Sequence, residues 1–213
     1  MLFQEVNMKS LIIIGAGGHG KVAADIALHM GYKNICFFDD HSSNPFALGF
    51  PVVGPISKAF SFSDSDFFVA IGNSKTREAI TKQLEDKGLN IVSLVHPDAV
   101  IASEVSIGSG SVVMAGAVIN PSVKIGKSVI INTGASVDHD NFIGDYSHVS
   151  VGTHLAGTVS VGKHCWLGIG TIVNNNVCIC DDCYLGAGSL VVKDIKEPGL
   201  YYGSPVSLYE EFR

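Results

Sequence analysis

Charged residues are scarce in this chain of 213 residues, and basic ones are the scarcer kind. There are 20 aspartates and glutamates against 14 lysines and arginines, so the formal net charge is −6, and charged residues make up only 16% of the sequence. A protein that binds nucleic acid needs clustered lysine and arginine to neutralise phosphates, which excludes nucleic acid as the main partner. Hydrophobic residues make up 46%, which favours a sizeable folded core over disorder.

Long apolar runs are also missing. No run reaches the length that spans a bilayer, and the first ten residues, MLFQEVNMKS, have no basic flank leading into an apolar stretch as a signal peptide would. The cysteines number five, an odd count that does not favour a framework of paired disulfides. We therefore expect no membrane insertion, and a cytoplasmic location with reduced thiols.

The first 95 residues alternate apolar strands with amphipathic helices. Strands are expected at Leu11–Ile14, Ile35–Phe38, 67–71 and 91–95, and the turn-rich segment 41–56 is expected to be a loop. Helices are expected over 21–30 and from a capping Ser74 to about residue 87. This order predicts a small Rossmann-like parallel α/β domain over residues 1–95.

From residue 96 the pattern changes to a repeat of six residues. Sixteen such hexads cover residues 96–191 without an insertion. The sixth residue is always Ile, Leu or Val, and the fourth is small, with Asn141 as the main exception. Three hexads close one triangular coil with the sixth residues inside, which predicts an all-β parallel β-helix. Residues 192–213 leave the repeat, and we expect them to cap its open end.

Three cysteines in the sequence CICDDC invite comparison with a metal site. Cys178, Cys180 and Cys183 occupy hexad positions five, one and four. Their side chains are expected to diverge, whereas a metal needs convergent ligands. The sequence therefore predicts no metal site.

Residues 11–21, LIIIGAGGHGK, place a G-x-G-x-x-G pattern between the first strand and the first helix. The backbone N–H groups of such a turn form a cradle for a diphosphate at a helix N-terminus. Asp39 and Asp40 end the second strand, where an acid of a dinucleotide-binding protein would hold ribose. The domain is too short for a full dinucleotide fold and no second domain offers hydride chemistry, so an oxidoreductase is disfavoured, while a tight packing turn stays open.

Together these features resemble the NeuD/PglD type of hexapeptide-repeat sugar acetyltransferases. The resemblance rests on GAGGHGK, FFDD and AIGN in the α/β domain and on VDHDNFIGDYSHVSVG in the hexads. It covers nearly the whole chain and is greatest to the bacillosamine-pathway UDP-4-amino-sugar N-acetyltransferases. It implies a left-handed β-helix, acetyl-CoA as co-substrate, and a homotrimer with active sites between neighbouring subunits.

The resemblance also implies how the two parts of the chain divide the work. The α/β domain would bind the nucleotide sugar, and the β-helix would bind acetyl-CoA and carry out catalysis. One further residue of the β-helix, Asn132, would help to place the sugar, or is simply a turn residue. The implied substrate-binding residues are Gly17, Gly18 and His19 at the diphosphate-sugar, Asp39 and Asp40 at the uridine end, Gly72 in the pocket wall, and Asn132.

His139 lies between Asp138 and Asp140 at the second position of its hexad. Two neighbouring carboxylates favour the protonated imidazole, so they make His139 more basic. A general base of this kind suits an amine that attacks a thioester. The resemblance makes His139 that base and Asp140 the residue that raises its basicity, although the family has Glu where this chain has Asp140. Without the resemblance, a solvated surface histidine is the alternative.

The resemblance places the contacts to acetyl-CoA along the β-helix. His148, Ile169 and Ala187 fall at the family's contact positions, with Ala187 in place of a glycine. Gly157 is a candidate for the backbone donor that an oxyanion of the tetrahedral intermediate needs.

The sequence thus predicts an acetyl-CoA-dependent N-acetyltransferase in bacterial glycan biosynthesis. Its acceptor would be the 4-amino group of a UDP-linked 4-amino-4,6-dideoxy-N-acetylhexosamine, acetylated by direct transfer. A dTDP- or GDP-linked 4-amino sugar, or a hydroxyl of sialic acid, stays open as the acceptor. A non-catalytic β-helix scaffold is disfavoured, because it would show threonine-rich outer ranks and would need no Gly-rich α/β domain.

Overall fold

The computed structural model describes residues 10–209, and the first part of the chain folds around one six-stranded sheet. The strand order is β3-β4-β2-β1-β5-β6, and every neighbouring pair is parallel except β3 and β4. This confirms the Rossmann-like sheet that the sequence predicts. The elements of this α/β unit are β1 Leu11–Ile14, α1 Gly18–His29, β2 Ile35–Phe38, β3 Phe46–Ala47, β4 Phe50–Gly54, α2 Ile56–Ala59, β5 Asp66–Val69, α3 Ser74–Asp86 and β6 Asn90–Ile91.

The central strands are buried on both sides of the sheet. Every residue of β1 and β5 is buried, because helices cover both faces, as is usual for parallel sheets. Ile13 packs with Ile26 of α1 in one apolar cluster, and Ile12 packs with Leu84 of α3 in another. The continuous apolar run of β1 follows from this double coverage.

Segment 41–56 is not the plain loop that its glycines and prolines suggest. β3 and β4 form an antiparallel hairpin in it, with Phe46 opposite Pro51. The turn residues Leu48 and Gly49 both have positive φ, at 47° and 79°, as a tight two-residue hairpin turn requires. β4 then pairs in parallel with β2, so the segment extends the sheet.

Both long helices begin at residues other than those expected. α1 starts at Gly18, inside the glycine-rich turn. The N-cap of α3 is Asn73, not Ser74, and the Asn73 side chain accepts a hydrogen bond from the backbone N–H of Thr76. The strand expected at 67–71 spans Asp66–Val69.

The strand expected at 91–95 is two strands in two different sheets. β6 pairs with β5 in the α/β unit, whereas the following strand, Leu94–Val95, pairs with Val112–Val113. The chain therefore crosses from one sheet to the next at residues 92–93.

The second part of the chain is a left-handed β-helix built from short strands. Each strand includes positions five and six of a hexad or lies just before the first hexad. Up to residue 173, each pairs in parallel with the strand 18 residues further on, as in Val112↔Ile130 and Ile130↔His148. The strands are β7 Leu94–Val95, β8 Val100–Ile101, β9 Ser106–Ile107, β10 Val112–Val113, β11 Val118–Ile119, β12 Lys124–Ile125, β13 Ile130–Ile131, β14 Ser136–Val137, β15 Phe142–Ile143, β16 His148–Val149, β17 His154–Leu155, β18 Ser160–Val161, β19 Trp166–Leu167, β20 Ile172–Val173, β21 Cys178–Ile179, β22 Cys183–Leu185 and β23 Leu190–Val191.

These strands form three flat faces. Face 1 contains β7, β10, β13, β16, β19 and β22; face 2 contains β8, β11, β14, β17, β20 and β23; face 3 contains β9, β12, β15, β18 and β21. Corner 1–2 joins the first two faces and includes residues 132–135, 150–153, 168–171 and 186–189. Corner 2–3 includes 138–141, 156–159 and 174–177, and corner 3–1 includes 126–129, 144–147, 162–165 and 180–183.

The third residue of the hexad turns each corner. From Glu104 onward it has positive φ whether it is a glycine, as at Gly134, or not, as at Asp140 (φ 57°) and His164 (φ 57°). The fourth residue points into the coil, and Asn141 is accommodated there because its amide is fully used. Its Nδ2 donates to the carbonyl of Asp138 at 2.6 Å, and its Oδ1 accepts from the N–H of Val159 at 3.0 Å.

Residues after the last hexad continue face 1. β24 (Gly199–Gly203) pairs in parallel with β22, and β25 (Val206–Leu208) pairs back on β24 in an antiparallel hairpin. Within residues 10–209, no helix combines the length and the apolar character needed to cross a bilayer.

One expectation about the cysteines is wrong. The Sγ atoms of Cys180 and Cys183 lie 3.5 Å apart, so hexad positions one and four converge at corner 3–1 and do not diverge. Cys178 is exposed on face 3, and all five cysteines are free thiols.

Face 1 carries the α/β unit. The apolar cluster around α1 includes Leu94, Val112 and Ile130, which project outward from the first strands of face 1. α3 crosses to corner 3–1, where Lys127 Nζ lies 2.9 Å from Glu85 Oε1. The later strands of face 1, from β16 to β22, lie across a cavity from the N-terminus of α3.

Candidate active site

His139 stands on corner 2–3 with its side chain 55% exposed. Its Nδ1 lies 2.7 Å from Oδ2 of Asp140. Oδ1 of Asp138 accepts the backbone N–H of His139 at 2.8 Å and Nδ2 of Asn120 at 2.7 Å. The hydrogen bond to Asp140 and the charges of both carboxylates raise the pKa of His139.

This arrangement determines which nitrogen can act. Because a carboxylate only accepts hydrogen bonds, Nδ1 of His139 carries the proton that Asp140 binds. Nε2 then carries the lone pair, and a proton taken up there is stabilised by Asp140. The pair has the geometry of a general base with an orienting carboxylate.

Gly157 lies one coil beyond His139 at the same corner. A Cβ atom at Gly157 would stand 2.5 Å from Nε2 of His139, so the imidazole lies directly against the glycine. The N–H of Gly157 donates to no atom within residues 10–209. A free lone pair and a free N–H donor therefore occupy the same small region.

A groove runs beside this region along face 2. It has a volume of 300 Å³ and is lined by Asn120, Asp138, His154 and Ile172, among others. Nδ1 of His154 lies 2.8 Å from Oγ of Ser136. The groove includes Asp138 and Ala156, the residues immediately before His139 and Gly157.

The glycine-rich turn is open towards solvent. Gly17 is the N-cap of α1 without a side-chain cap, and a Cβ at Gly17 or Gly18 would meet nothing within 4 Å. Oδ2 of Asp39 accepts the N–H of Ala16 at 2.7 Å. The hydrogen bond from Ala16 to Asp39 therefore fixes the turn on its buried side. The start of α1 faces solvent, as an anion site would.

Both predicted uridine-binding acids also serve the local backbone. Oδ1 of Asp39 accepts the N–H groups of His41 and Ser42, and Oδ1 of Asp40 accepts the N–H of Ile56 at 2.8 Å. Burial acts to raise the pKa of Asp39, but its backbone N–H donors together lower it. The two acids line one cavity of 450 Å³, with Phe60, Ile71 and Ile80 among its walls.

A second cavity, of 220 Å³, lies where α3 meets face 1, and we call it the junction cavity. Gly72 and the start of α3 form one side of it, and the outward side chains of β16, β19 and β22 form the other. The rings of His148 and Trp166 are 4.3 Å apart at 72°, and those of Trp166 and Tyr184 are stacked 5.6 Å apart. These three rings recur every 18 residues and make an aromatic ladder on face 1.

Arg77 closes the base of this junction cavity. Its side chain is fully buried and donates to the backbone carbonyls of Ile71, Gly72, Ser128 and Tyr146. Burial lowers the pKa of Arg77 to about 10, so it stays charged at neutral pH. A cation between the α/β unit and the β-helix makes this region electropositive.

The two histidines near Arg77 are neutral. Burial and the charge of Arg77 lower the pKa of His148 to about 3 and that of His19 to about 4. Asn132 Oδ1 accepts the N–H of Thr133, so its Nδ2 donates to His148 Nε2 at 2.9 Å. The proton of His148 is therefore on Nδ1, which is buried without a partner among the described residues, as is Nε2 of His19.

The structure brings some predicted site residues together and separates others. His148, predicted at acetyl-CoA, lies beside Asn132 and shares a cavity with Gly72, both predicted at the substrate. Ile169, which is 59% exposed, and Ala187 are stacked at corner 1–2. Gly157 lies with His139 at corner 2–3, so one copy of the chain does not unite all the predicted acetyl-CoA contacts.

Sequence reasoning did not find Arg77 or the aromatic ladder. Trp166 and Tyr184 follow His148 at the fifth position of every third hexad, so the repeat itself held a signal for the ladder. Arg77 had no such signal, because its carbonyl partners lie up to 69 residues away along the chain.

Known proteins match the chain in both of its parts. Residues 10–84 match the family model of the PglD N-terminal domain. The acetyltransferase domain of PglB from Neisseria gonorrhoeae, solved with acetyl coenzyme A, is 36% identical with a TM-score of 0.91, over 95% of this chain and 100% of that one. PerB from Caulobacter crescentus, solved with CoA and GDP-perosamine, is 38% identical with a TM-score of 0.89, over 94% of this chain and 97% of that one.

A curated relative matches over a shorter region. The UDP-N-acetylbacillosamine N-acetyltransferase of Bacillus subtilis is 33% identical over 113 residues, which is 51% of this chain and 52% of that protein. The chain thus spans about half the length of this relative. Identity above one third over nearly the full length of two solved acetyltransferase structures, together with the match to the PglD N-terminal domain, shows that the chain belongs to the NeuD/PglD type of hexapeptide-repeat sugar acetyltransferases.

Proposed function

We propose that this chain transfers the acetyl group of acetyl-CoA to the 4-amino group of a UDP-linked 4-amino-4,6-dideoxy-N-acetylhexosamine. The observation that carries the proposal is the exposed His139 with Nδ1 on Asp140 at 2.7 Å and Nε2 free beside Gly157. A neutral amine attacks the thioester carbonyl, and a base must take its proton as the C–N bond forms. Nε2 of His139 takes that proton, and Asp140 stabilises the imidazolium that results.

Gly157 completes the reaction centre. Attack on the thioester places negative charge on the carbonyl oxygen, which a backbone N–H can stabilise. The N–H of Gly157 has no partner within the described chain and adjoins Nε2 of His139, so it serves as the donor. Collapse of the tetrahedral intermediate expels the CoA thiolate, and no covalent acyl-enzyme is needed when both substrates are held together.

The nucleotide sugar binds to the α/β unit in this proposal. Gly17, Gly18 and His19 meet the diphosphate-sugar at the N-terminus of α1, and the cavity of Asp39 and Asp40 takes the base. Support comes from the open glycine turn and from PerB, whose structure contains a nucleotide amino sugar.

The junction cavity extends this substrate site. Gly72, Asn132, His148 and the ladder residue Trp166 lie around it. His148, expected at acetyl-CoA, borders the same cavity. Its Nδ1 and Nε2 of His19 have no partner in residues 10–209 and are shielded from solvent, so a ligand reaches them only when neighbouring side chains move. Stacking of an aromatic ring against a sugar face is favourable for the same reason that apolar surface is buried elsewhere.

The homotrimer in this proposal is supported by where the two halves of the site lie. The substrate residues cluster at face 1, whereas His139 stands at corner 2–3, on the opposite edge of the triangular coil. A neighbouring copy that presents its corner 2–3 to the α/β unit of the first would unite base and sugar. Ile169 and Ala187 at corner 1–2 would then contribute to acetyl-CoA binding in the cleft between copies, and light scattering should give three times the mass of the chain.

One other acceptor is supported by a specific observation. PerB, which matches nearly the whole chain, was solved with GDP-perosamine, so a GDP-linked 4-amino sugar is the second candidate. Thiol release from acetyl-CoA, measured against UDP-, GDP- and dTDP-linked 4-amino sugars and free sialic acid, distinguishes the acceptors. Turnover of the UDP-linked sugar well above the others supports the proposal, and selective turnover of another acceptor replaces it.

A further inference from the structure

A second cluster of titratable side chains lies where α1 meets the first coil of the β-helix. Asp25 and His29 are one helical turn apart near the end of α1, and His96 follows β7 at corner 1–2. The candidate ligand atoms of these three side chains all lie within 4.8 Å of one another. None of the three belongs to the residues assigned above to catalysis or substrate binding.

We propose that Asp25, His29 and His96 bind one divalent transition-metal ion, with zinc as the best match. One carboxylate and two imidazoles are donors that zinc binds at about 2.0–2.2 Å, with a fourth position left for water. Tetrahedral bonds of that length place ligand atoms about 3.3 Å apart, so the cluster must contract. Asp25 and His29 are exposed, and rotation of their side chains provides the contraction.

The protonation state of His29 already suits a metal ligand. Its Nδ1 lies 2.9 Å from the backbone carbonyl of Asp25. A carbonyl only accepts hydrogen bonds, so the proton is on Nδ1 and Nε2 presents its lone pair. A backbone carbonyl behind a ligating histidine is a common second partner in metal sites, where it fixes the ring and its tautomer.

His96 needs one change to join the site. Its ring lies 5.1 Å from that of His29 at 41°, and its Nδ1 accepts the backbone N–H of Asp98 at 3.0 Å. Ligation through Nε2 requires the proton to move to Nδ1, which ends the hydrogen bond that Nδ1 accepts from the N–H of Asp98. Oδ2 of Asp98 is 3.8 Å from Nδ1 on a side chain that is 83% exposed, so this carboxylate can rotate to accept the proton's hydrogen bond.

A metal at this position links the two parts of the molecule. α1 carries the glycine-rich turn at its N-terminus and two of the ligands near its C-terminus, while His96 belongs to the first coil. An ion that binds the folded chain and not the unfolded chain stabilises the fold by RT ln(1 + c/Kd), where c is the concentration of free ion, so the effect grows with that concentration. The site would therefore fix α1, and with it the turn, on face 1.

Metal binding by the full chain tests this inference directly. Protein treated with a chelator and then dialysed is titrated with Co²⁺ and with Zn²⁺. We expect one ion per chain, a visible Co²⁺ absorption of the intensity typical of four-coordination that Zn²⁺ removes, and a higher unfolding midpoint with Zn²⁺. Failure of the wild-type chain to bind either ion stoichiometrically overturns the proposal.

Substitutions of the proposed ligands test where in the molecule the ion binds. His29→Ala and Asp25→Asn should lose the Co²⁺ absorption and the thermal shift, and Asp98→Asn should weaken binding about tenfold, as loss of a second-sphere partner does. His154→Ala removes another exposed histidine and should bind as the wild type does. Equal binding by wild type, His29→Ala and Asp25→Asn would show that the ion sits elsewhere, for instance on a cysteine, and would overturn the assignment.

Discussion

Gly157 lies directly against the imidazole of His139, because a Cβ atom on the glycine would be only 2.5 Å from Nε2 of the histidine. The two residues are 18 positions apart, which is one coil of the β-helix. A side chain at position 157 would push the imidazole away from its place on Asp140. The glycine therefore positions the proposed base, in addition to offering its N–H to the oxyanion.

Gly157→Ala should lower kcat by about 100-fold, the scale on which a positioned general base contributes to catalysis. The backbone at Gly157 is not in the left-handed region, so alanine should not disturb the fold. Asn175→Ala, an exposed change one coil further along the same corner, is the control and should leave kcat unchanged. Steady-state kinetics with unfolding midpoints separate the two effects, and wild-type kcat in Gly157→Ala would contradict the contact's role.

Asp140→Asn should move the acidic limb of the pH–rate profile to lower pH and reduce the plateau. The carboxylate raises the pKa of His139, and the base works only when neutral, so activity is lost as pH falls through that raised pKa. Without the carboxylate the pKa falls towards its ordinary value, and the weaker base transfers protons less well.

The same position offers a matched control. Asp140 has φ 57°, a conformation that asparagine also tolerates, so the neutral variant should keep the turn. Asp140→Glu keeps a carboxylate at this position and should retain the acidic limb near the wild-type pH. An unchanged limb in Asp140→Asn would mean that Asp140 does not tune the base.

The fold was readable from the sequence because its signals are local and periodic. An aliphatic residue at every sixth position, from Ile101 to Val191, indicates a repeating coil. The unbroken apolar run of β1 indicates a buried strand. The hairpin of β3 and β4 was missed because its pairing depends on a tight Leu48–Gly49 turn and on the neighbouring strand β2. Glycine and proline in that segment favour a loop by composition, although here they shape a hairpin.

The site was harder to predict from the sequence, because many of its residues are far apart in the chain and come together only in the fold. His139 and Asp140 are sequence neighbours, so their pair is visible in the sequence. Arg77 is an ordinary helix arginine in the sequence, and only the fold places it against the carbonyls of Ser128 and Tyr146. Long-range contacts of this kind have no periodicity to reveal them.

Arg77→Met should lower the free energy of unfolding by about 3 kcal/mol, since buried carbonyl acceptors lose their donors. The side chain is 1% exposed and donates to four carbonyls, so solvent cannot replace it. Lys75→Ala on the same helix removes an exposed ion pair with Asp182 and should change stability by less than about 1 kcal/mol. Urea unfolding of both variants makes the comparison, and equal losses of stability would contradict the role of Arg77 in joining the α/β unit to the β-helix.

Trp166→Ala should raise KM for the nucleotide sugar about tenfold, the scale of roughly 1.4 kcal/mol of lost contact, with little change in KM for acetyl-CoA. The indole is the centre of the aromatic ladder that lines the junction cavity. Trp166→Phe should keep most of the affinity, and Phe142→Ala, an exposed aromatic on face 3, should behave as wild type. A rise in KM for acetyl-CoA alone would assign the cavity to the other substrate.

The most direct test of the account is thiol release from acetyl-CoA with the accepted amino sugar, comparing wild type, His139→Ala and Lys124→Ala. His139→Ala should lose at least about 100-fold in kcat while retaining its KM values, and Lys124→Ala, a change of an exposed residue on face 3, should keep most of its activity. Turnover by His139→Ala at the wild-type rate would contradict the assignment of His139 as the base.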